Sequence, residues 1–387
     1  MPEQFTAIEM LAKLVSFNTE SSRSNLPLID WIEAYLASNG ITATRVPDET
    51  GEKAALFAQI GPDVEGGVIL SGHTDVVPVA GQDWSTDPWT LTERDGRLYG
   101  RGSADMKGFV ALALAAVPAM RAAPLKRPIQ IALSYDEEVG CIGAPPMIAA
   151  MRAALPLASA AIIGEPTELK VVTGHKAIVD LHTHVRGFEV HSSLMHTGVS
   201  AIMAAAELIT WHSAQVEANR AKPAEGADAE YVPPWTTLHC GEVEGGTAHN
   251  ITARDCSFVT DIRALPSEKL EDWIAAFKAE AARLEVTLKA IRPAAAITVD
   301  VRNQVPGCAA EENGAAEALV RSLTGDNSTN VVSYATEAGQ FQEAGYSAVV
   351  CGPGNIEQAH QADEFIAIDQ MAQGEAMIAK LIERLSV

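Results

Sequence analysis

The 387-residue chain is long enough for two domains with cores of their own. Its 50 acidic residues outweigh 28 basic ones, and the resulting formal charge of −22 repels nucleic acid and anionic membrane, so neither is expected as a partner. A composition 47 % apolar and 20 % charged, with Gly and Pro spread throughout, excludes a disordered chain.

No apolar run is long enough to cross a bilayer. The opening "MPEQFTAIEMLAKLVSFNTESS" carries acids among apolar residues at helical spacing, unlike a signal peptide, so a cytoplasmic location is expected. Cys141, Cys240, Cys256, Cys308 and Cys351 are scattered and form no CxxC pair, which predicts free thiols and neither a disulfide framework nor a thiolate zinc site.

In chain order, residues 8–37 read as two helices, and "KAALFAQIG" and "GGVILSG" as strands. "MKGFVALALAAVPAMRAA" reads as one largely apolar helix. "PIQIALSY" and "ASAAIIG" are further strands, "YSAVVCG" is another, and residues 369–385 form a closing helix. Continuous apolar strands between helices predict an α/β domain whose mixed, largely parallel sheet is covered on both faces.

The middle of the chain differs. Between residues 177 and 302 the strand candidates "IVDLHTHVRG", "LHCGEVEGG", "DCSFVTDIRA" and "AAITVDVRN" alternate in polarity, so their sheet has one open face. Two helical stretches interleave with them to give the order βαββαβ, a ferredoxin-like α+β unit inserted into the first domain. The expected boundaries are a first domain over 1–178, an insertion over 179–305, and the return of the first domain over 306–387. "AKPAEGADAEYVPPW" reads as a surface loop.

Polar residues recur just past the carboxyl ends of the apolar strands, where open α/β sheets bind ligands. "GGVIL" leads to His73 and Asp75, "PIQIALSY" to Asp136, Glu137 and Glu138, "ASAAII" to Glu165, and "YSAVV" to "CGPGNIEQAH" with His360. "LYGRGSADMKGF" adds Asp105 in a Gly-rich turn. Singly, each has an ordinary explanation as a cap, a turn residue or a solvated acid. Together, converging carboxylates repel one another unless a cation neutralises them. Two His with several carboxylates and no Cys suit two zinc-like ions. Glu137 and Glu138 cannot both address one centre from a regular strand, because neighbouring side chains point to opposite faces, so both are expected in the turn beyond it.

"SGHTDVVPVAGQDWSTDPWTLTERDGRLYGRGSADMKGFVA", "DEEVGCIGA", "GEPT", "RGFEVHSS" and "GPGNIEQAHQADEF" resemble the dinuclear metallopeptidases and deacylases related to carboxypeptidase G2, succinyl-diaminopimelate desuccinylase and zinc aminoacylase. The resemblance spans nearly the whole chain and is strongest to the branch acting on acetylornithine. It implies hydrolysis of an N-acyl amino acid, with N2-acetyl-L-ornithine giving L-ornithine and acetate in arginine biosynthesis. Acetylcitrulline, N-formyl or N-succinyl substrates are the alternatives. The cofactors implied are two divalent ions, Zn or Co.

The resemblance makes Asp105 the bridging ligand, with His73 and Glu165 completing one metal site and Glu138 and His360 the other. Glu137 becomes the general base, and Asp75 the carboxylate that fixes the ring of His73. A cis peptide after Asp105 is implied as well. His191 matches a histidine that reaches the substrate carbonyl across a dimer interface, which implies a homodimer with the insertion as lid and dimerisation domain. Asn250 and Arg263 match a pair gripping the substrate carboxylate, although "NIT" after Asn250 departs from the aliphatic-Pro pair common in relatives. Glu337 is the candidate partner for a cationic substrate side chain. His175 and Lys176 fall near the hinge, as substrate contacts or as packing. His182 and His184 share one strand face without a nearby acid and read as solvated.

The rival classes lack their motifs. There is no GxSxG elbow for a serine hydrolase and no GxxxxGK[ST] loop for a nucleotide enzyme. A non-catalytic binding protein on the same fold is the remaining alternative.

Overall fold

A computed structural model describes residues 4–387. The chain divides into two compact units. One comprises the chain up to Gly174 together with Ala310–Asn330 and Thr336–Val387, and the other comprises His175–Ala309 with Val331–Ala335. The second thus runs a few residues past the expected 179–305 on each side, and Val331–Ala335 returns to it late in the chain.

The first unit is built on a sheet whose strands Ala54–Ile60, Ile129–Ser134, Val68–His73, Ala160–Pro166 and Ala348–Gly352 lie side by side in that order. The last four run parallel, Ala54–Ile60 runs against them, and the edge strand Ala43–Pro47 pairs antiparallel with Ala54–Ile60. Alternate residues explain why helices must cover both faces. Leu56, Val68, Leu70, Ile131 and Ile162 share one cluster with the helices Ala7–Val15, Lys107–Ala115 and Ile368–Arg384. The interleaved Phe57, Ile69, Ala132 and Ile163 are equally buried, on the opposite face, where Ala144–Ala154 and Ala338–Glu343 pack.

Local chemistry sets the element ends. Helix Ala7–Val15 starts at a capping box, in which the Thr6 hydroxyl accepts the Glu9 N–H and the Glu9 carboxylate accepts the Thr6 N–H. The apolar stretch expected as one helix is two, Lys107–Ala115 and Val117–Ala122. Pro118 has no N–H to give Leu114, and the freed Leu114 carbonyl accepts the Tyr35 hydroxyl at 3.0 Å instead. A hairpin not anticipated above, Thr92–Arg94 with Arg97–Tyr99, turns on Asp95 and Gly96 at φ 52° and 73°, and Phe365–Ala367 joins it as a third strand.

The second unit is a four-stranded antiparallel sheet in the order Thr237–Gly245, Asp255–Ala264, Ala177–Arg186, Ala296–Val305, with the helices Ala201–Arg220 and Leu270–Ile291. This is the ferredoxin-like arrangement. Val179, Leu181 and Val185 point into the core with Leu208 and Phe277, while Asp180, His182 and His184 occupy the other face. His184 does have an acid beside it: its ring lies 3.1 Å from Asp255 on the neighbouring strand, a pairing the sequence order conceals. No helix among the described residues is long and apolar enough to cross a membrane. All five cysteines are free.

Candidate functional site

The first unit gathers seven polar side chains at the carboxyl end of its parallel strands. His73 ends the strand Val68–His73, Glu165 stands near the end of Ala160–Pro166, and Glu137 and Glu138 lie in the turn beyond Ile129–Ser134. That turn bends at Asp136, φ 56°, whose carboxylate is held by Lys53 at 2.5 Å. Asp105 precedes helix Lys107–Ala115, and its peptide bond to Met106 is cis. Close packing brings these elements together. A Cβ on Gly164 would lie 2.0 Å from the Phe109 ring, so the glycine beside Glu165 lets the helix following Asp105 press onto the sheet.

Asp105 faces both histidines. Its Oδ1 is 3.0 Å from His73 Nε2 and its Oδ2 is 3.2 Å from His360 Nε2. His73 Nε2 is also 3.7 Å from Glu165, and His360 Nε2 is 2.9 Å from Glu138. Ligand atoms of His73, Asp105 and Glu138 fall within 4.8 Å of one another, as do those of His73, Glu137 and Glu165. Only His360 is substantially exposed, at 53 % of its side chain against 6 % or less for His73, Asp105, Glu138 and Glu165.

The charges show the strain of this crowding. Burial raises Glu137 and Glu165 well above the usual carboxylate range, and their acidic neighbours push the same way. Burial and the charge of Asp105 raise Glu138 to about 7. Asp105 goes the other way: burial opposes its ionisation, but the hydrogen bonds from His360 and His73 hold it below the usual range. His73 is raised in spite of burial, by its bond to Asp105 and the nearby carboxylates, and bonds to Asp105 and Glu138 raise His360 to about 10. Glu138 Oε1 and Glu165 Oε1 are buried without a hydrogen-bond partner. Orphaned carboxylate oxygens, mutual repulsion and two imidazoles make a donor set that fits hard-to-borderline divalent cations.

Three expected roles are placed differently. The ring of His73 is fixed by the main chain of Asp75, not by its carboxylate: Nδ1 lies 2.9 Å from the Asp75 carbonyl and 3.6 Å from Oδ1. The Asp75 carboxylate instead accepts the N–H groups of Glu137 at 3.2 Å and Glu138 at 3.3 Å and the Ser21 hydroxyl at 2.7 Å. Glu337 is 1 % exposed, and its oxygens accept the hydroxyls of Ser134 and Ser71 beneath the strand ends. It presents no free carboxylate to a cationic side chain.

The third difference lies in the second unit. His191 and Asn250 are neighbours there: His191 bridges to Ile251, and the Ser192 N–H donates to the Asn250 carbonyl at 2.9 Å. His191 Nδ1 accepts the Ser193 N–H at 3.2 Å, leaving Nε2 outward on an exposed loop. Arg263 sits at the far end of strand Asp255–Ala264, bonded to Asp261 and the Ser333 carbonyl. At about 3.3 Å per residue, the strand carries Arg263 roughly 26 Å from Asp255, and the loop with Asn250 precedes the Asp255 end. One chain's Asn250 and Arg263 therefore cannot grip the same carboxylate. His175 and Lys176 are packing groups: the His175 ring bonds to the Lys176 carbonyl, and Lys176 Nζ donates to the carbonyls of Pro233 and Trp235.

Contacts missed in the sequence are the supports of these residues, namely Ser21, Lys53, Gln82, Arg101 and Glu364. Gln82, Arg101 and Glu364 lie inside the quoted motifs "SGHTDVVPVAGQDW", "LYGRGSADMKGF" and "GPGNIEQAHQADEF", whereas Ser21 and Lys53 lie outside them.

Residues 69–384 match the pattern of peptidase family M20/M25/M40. Acetylornithine deacetylase of Myxococcus xanthus is 36 % identical over 386 residues, covering 96 % of this chain and 95 % of that protein. The enzyme of the same name from Pasteurella multocida (strain Pm70) is 32 % identical over 388 residues, covering 97 % of each. Among solved structures, the M20 family metallo-carboxypeptidase Sso-CP2 of Sulfolobus solfataricus superposes with a TM-score of 0.78 at 15 % identity, over 99 % of this chain and 100 % of that one. Human carnosine dipeptidase 1 does so at 0.67 and 18 %, over 98 % and 96 %. At such identities the structures speak for the fold alone.

Proposed function

The chain belongs to peptidase family M20/M25/M40 and is a hydrolase of that family, and from this we propose that it hydrolyses N2-acetyl-L-ornithine to L-ornithine and acetate, using two divalent ions, zinc or cobalt. The observation that carries the metal-dependent reading is Asp105, which turns one oxygen to His73 and the other to His360 while Glu138 and Glu165 each keep an oxygen unpartnered. Asp105 would bridge, His73 and Glu165 would hold one ion, and Glu138 and His360 the other. Bound there, the ions supply a water of lowered pKa and polarise the amide carbonyl.

The protein's own groups do the rest. Glu137 stands free of the strand and partly exposed, with the Cys141 thiol 3.4 Å from its Oε1. A carboxylate placed beyond the strand end suits a group that takes a proton from water and returns it to the departing amine. Asp75 holds the main chain of Glu137 and Glu138 together and so fixes base and ligand relative to each other. Arg263 would bind the substrate α-carboxylate, and His191 the developing oxyanion.

The reading includes a cytoplasmic homodimer. Two observations support the dimer. Asn250 lies with His191 and far from Arg263, so the two groups would meet one substrate only if supplied by different protomers. The loop and helix next to His191 also expose Leu194, Met195 and Met203 at 51 %, 63 % and 66 %, apolar surface of the kind an interface covers.

The deciding experiment is metal analysis of the purified protein with a panel of N-acetyl, N-formyl and N-succinyl amino acids, acetylornithine and acetylcitrulline included. The reading expects hydrolysis that a chelator abolishes and zinc or cobalt restores, fastest with acetylornithine. Turnover unaffected by the chelator, or a preference for another acyl group, would refute it.

A further inference from the structure

His360 is the most exposed of the ligand candidates, and it sits on a loop in a left-handed backbone conformation, φ 62°. A half-exposed side chain on such a loop holds a defined position only if its main chain is anchored. The anchor is traceable. Gln82 Nε2 donates to the His360 carbonyl at 2.9 Å, and Gln82 Oε1 accepts the Trp84 indole N–H at 3.1 Å and a guanidinium N–H of Arg101. Arg101 Nη1 donates to Glu364 Oε2 at 2.8 Å, and both side chains are 1 % exposed.

The Glu364 carboxylate is saturated with main-chain donors: Gly102 N–H at 2.8 Å on Oε2, and the N–H groups of Ala104 at 2.9 Å and Asp105 at 3.0 Å on Oε1. The pairing of Phe365 with Tyr99 and the bond from Gly100 N–H to the Glu364 carbonyl at 3.0 Å seat Glu364 beside this loop. The circuit closes where His360 Nε2 meets Asp105 Oδ2 at 3.2 Å. It runs from Asp105 through Glu364, Arg101 and Gln82 to His360 and back.

We propose that Gln82 and Glu364 are positioning residues of unequal reach: Gln82 bonds to His360 directly and reaches Asp105 only through Arg101 and Glu364, and so governs chiefly one metal site, whereas Glu364 bonds to Asp105 directly and so governs both. A buried charge pair whose carboxylate oxygens all have donors is costly to disturb, because removing the charged partner leaves a buried charge uncompensated and losing an N–H leaves an oxygen unpaired. Outer groups of this kind typically change metal affinity about 10–100-fold. The inference rests on the dinuclear reading above.

The test titrates the chelator-stripped full-length protein with Co2+, followed by calorimetry and visible absorption. The unaltered protein should show two binding steps. Gln82→Met should weaken one step by about tenfold or more and leave the other near its original affinity. Gln82→Glu keeps the acceptor facing Arg101 but cannot donate to the His360 carbonyl, and should weaken the same step. Glu364→Gln should weaken both steps. Gln82 is only partly buried, so its variants keep the test decisive if Glu364→Gln fails to fold. Gln82 variants that bind both ions unchanged, or that weaken both equally, would overturn the proposal while the dinuclear reading stands. An unaltered protein that takes up no metal would overturn both.

Discussion

The carboxylate of Asp75 accepts the main-chain N–H of Glu137 at 3.2 Å, so the group expected to steady a histidine ring steadies the proposed general base instead. With the backbone of Glu137 fixed from behind, its side chain remains free to move a proton. Glu137→Gln preserves shape and the Asp75 contact but cannot take a proton. It should keep both metal ions and lower kcat by about 10²–10⁴-fold. Metal analysis alongside steady-state kinetics checks this, and turnover close to the unaltered enzyme would remove Glu137 from the role.

His360→Ala removes an imidazole that faces Asp105 and Glu138, while His73 and Glu165 keep their places. Bound metal should fall from two ions toward one per chain. Elemental analysis after dialysis against a weak chelator reads the ratio. An unchanged ratio would show that His360 is no ligand.

Arg263→Ala should raise KM for carboxylate-bearing substrates by about 10–100-fold, the worth of a charge-assisted hydrogen bond, with a smaller effect on the corresponding amides. Because Asn250 and His191 lie at the other end of the sheet, a His191→Ala chain and an Arg263→Ala chain should complement each other. At substrate well below the raised KM, mixed dimers assembled from the two should be more active than either homodimer. Mixtures that stay as inactive as their parents would mean that the site is not shared between protomers.

Acid should weaken the second unit through its buried histidines. Burial lowers His212 to about 4 from the ordinary 6.5, and lowers His175 likewise to about 4. The unfolded chain therefore takes up these protons first. The stability both residues contribute is complete above pH 6.5 and is lost as pH falls from 6.5 toward 4. His212 packs on Phe277 with ring centroids 5.0 Å apart, so His212→Phe keeps the packing and removes one titrating group. Denaturant melts between pH 4 and 6.5 should show a shallower loss of stability in the variant.

Glu337→Gln should leave the preference for acetylornithine over acetylcitrulline unchanged, since both oxygens of Glu337 are occupied by serines below the site. A fall in that preference would put the carboxylate back in contact with the substrate side chain.

The metal-binding face was readable because it depends on a local rule. A polar residue immediately past an apolar strand in a parallel sheet has one place to go, and His73, Glu138 and Glu165 follow it. Asp75 and Glu337 were legible as acids in the right neighbourhood, but the destination of a side chain also depends on partners such as Ser21, Ser71 and Ser134, which are remote or carry no signal in sequence. The placing of Asn250 and Arg263 shows the same limit from another direction: two residues of one motif can be parted by the strand between them. The hairpin at Asp95–Gly96 was legible by a local rule as well, since an Asp-Gly pair at a two-residue turn is a strong hairpin signal.

The strand Ala160–Pro166 takes Ala348–Gly352 as its parallel neighbour, with Ala161 opposite Ala348, and the whole inserted unit is synthesised between them. A chain emerging from the ribosome must hold that sheet edge open while the insertion is made. The continuous stretch His175–Ala309 has most of its partners at hand and can mature first. Translation order thus leaves the hydrolytic half the later to finish and the more exposed to aggregation through its unpaired edge, and chains that stop short of Ala348 should be found in inclusion bodies.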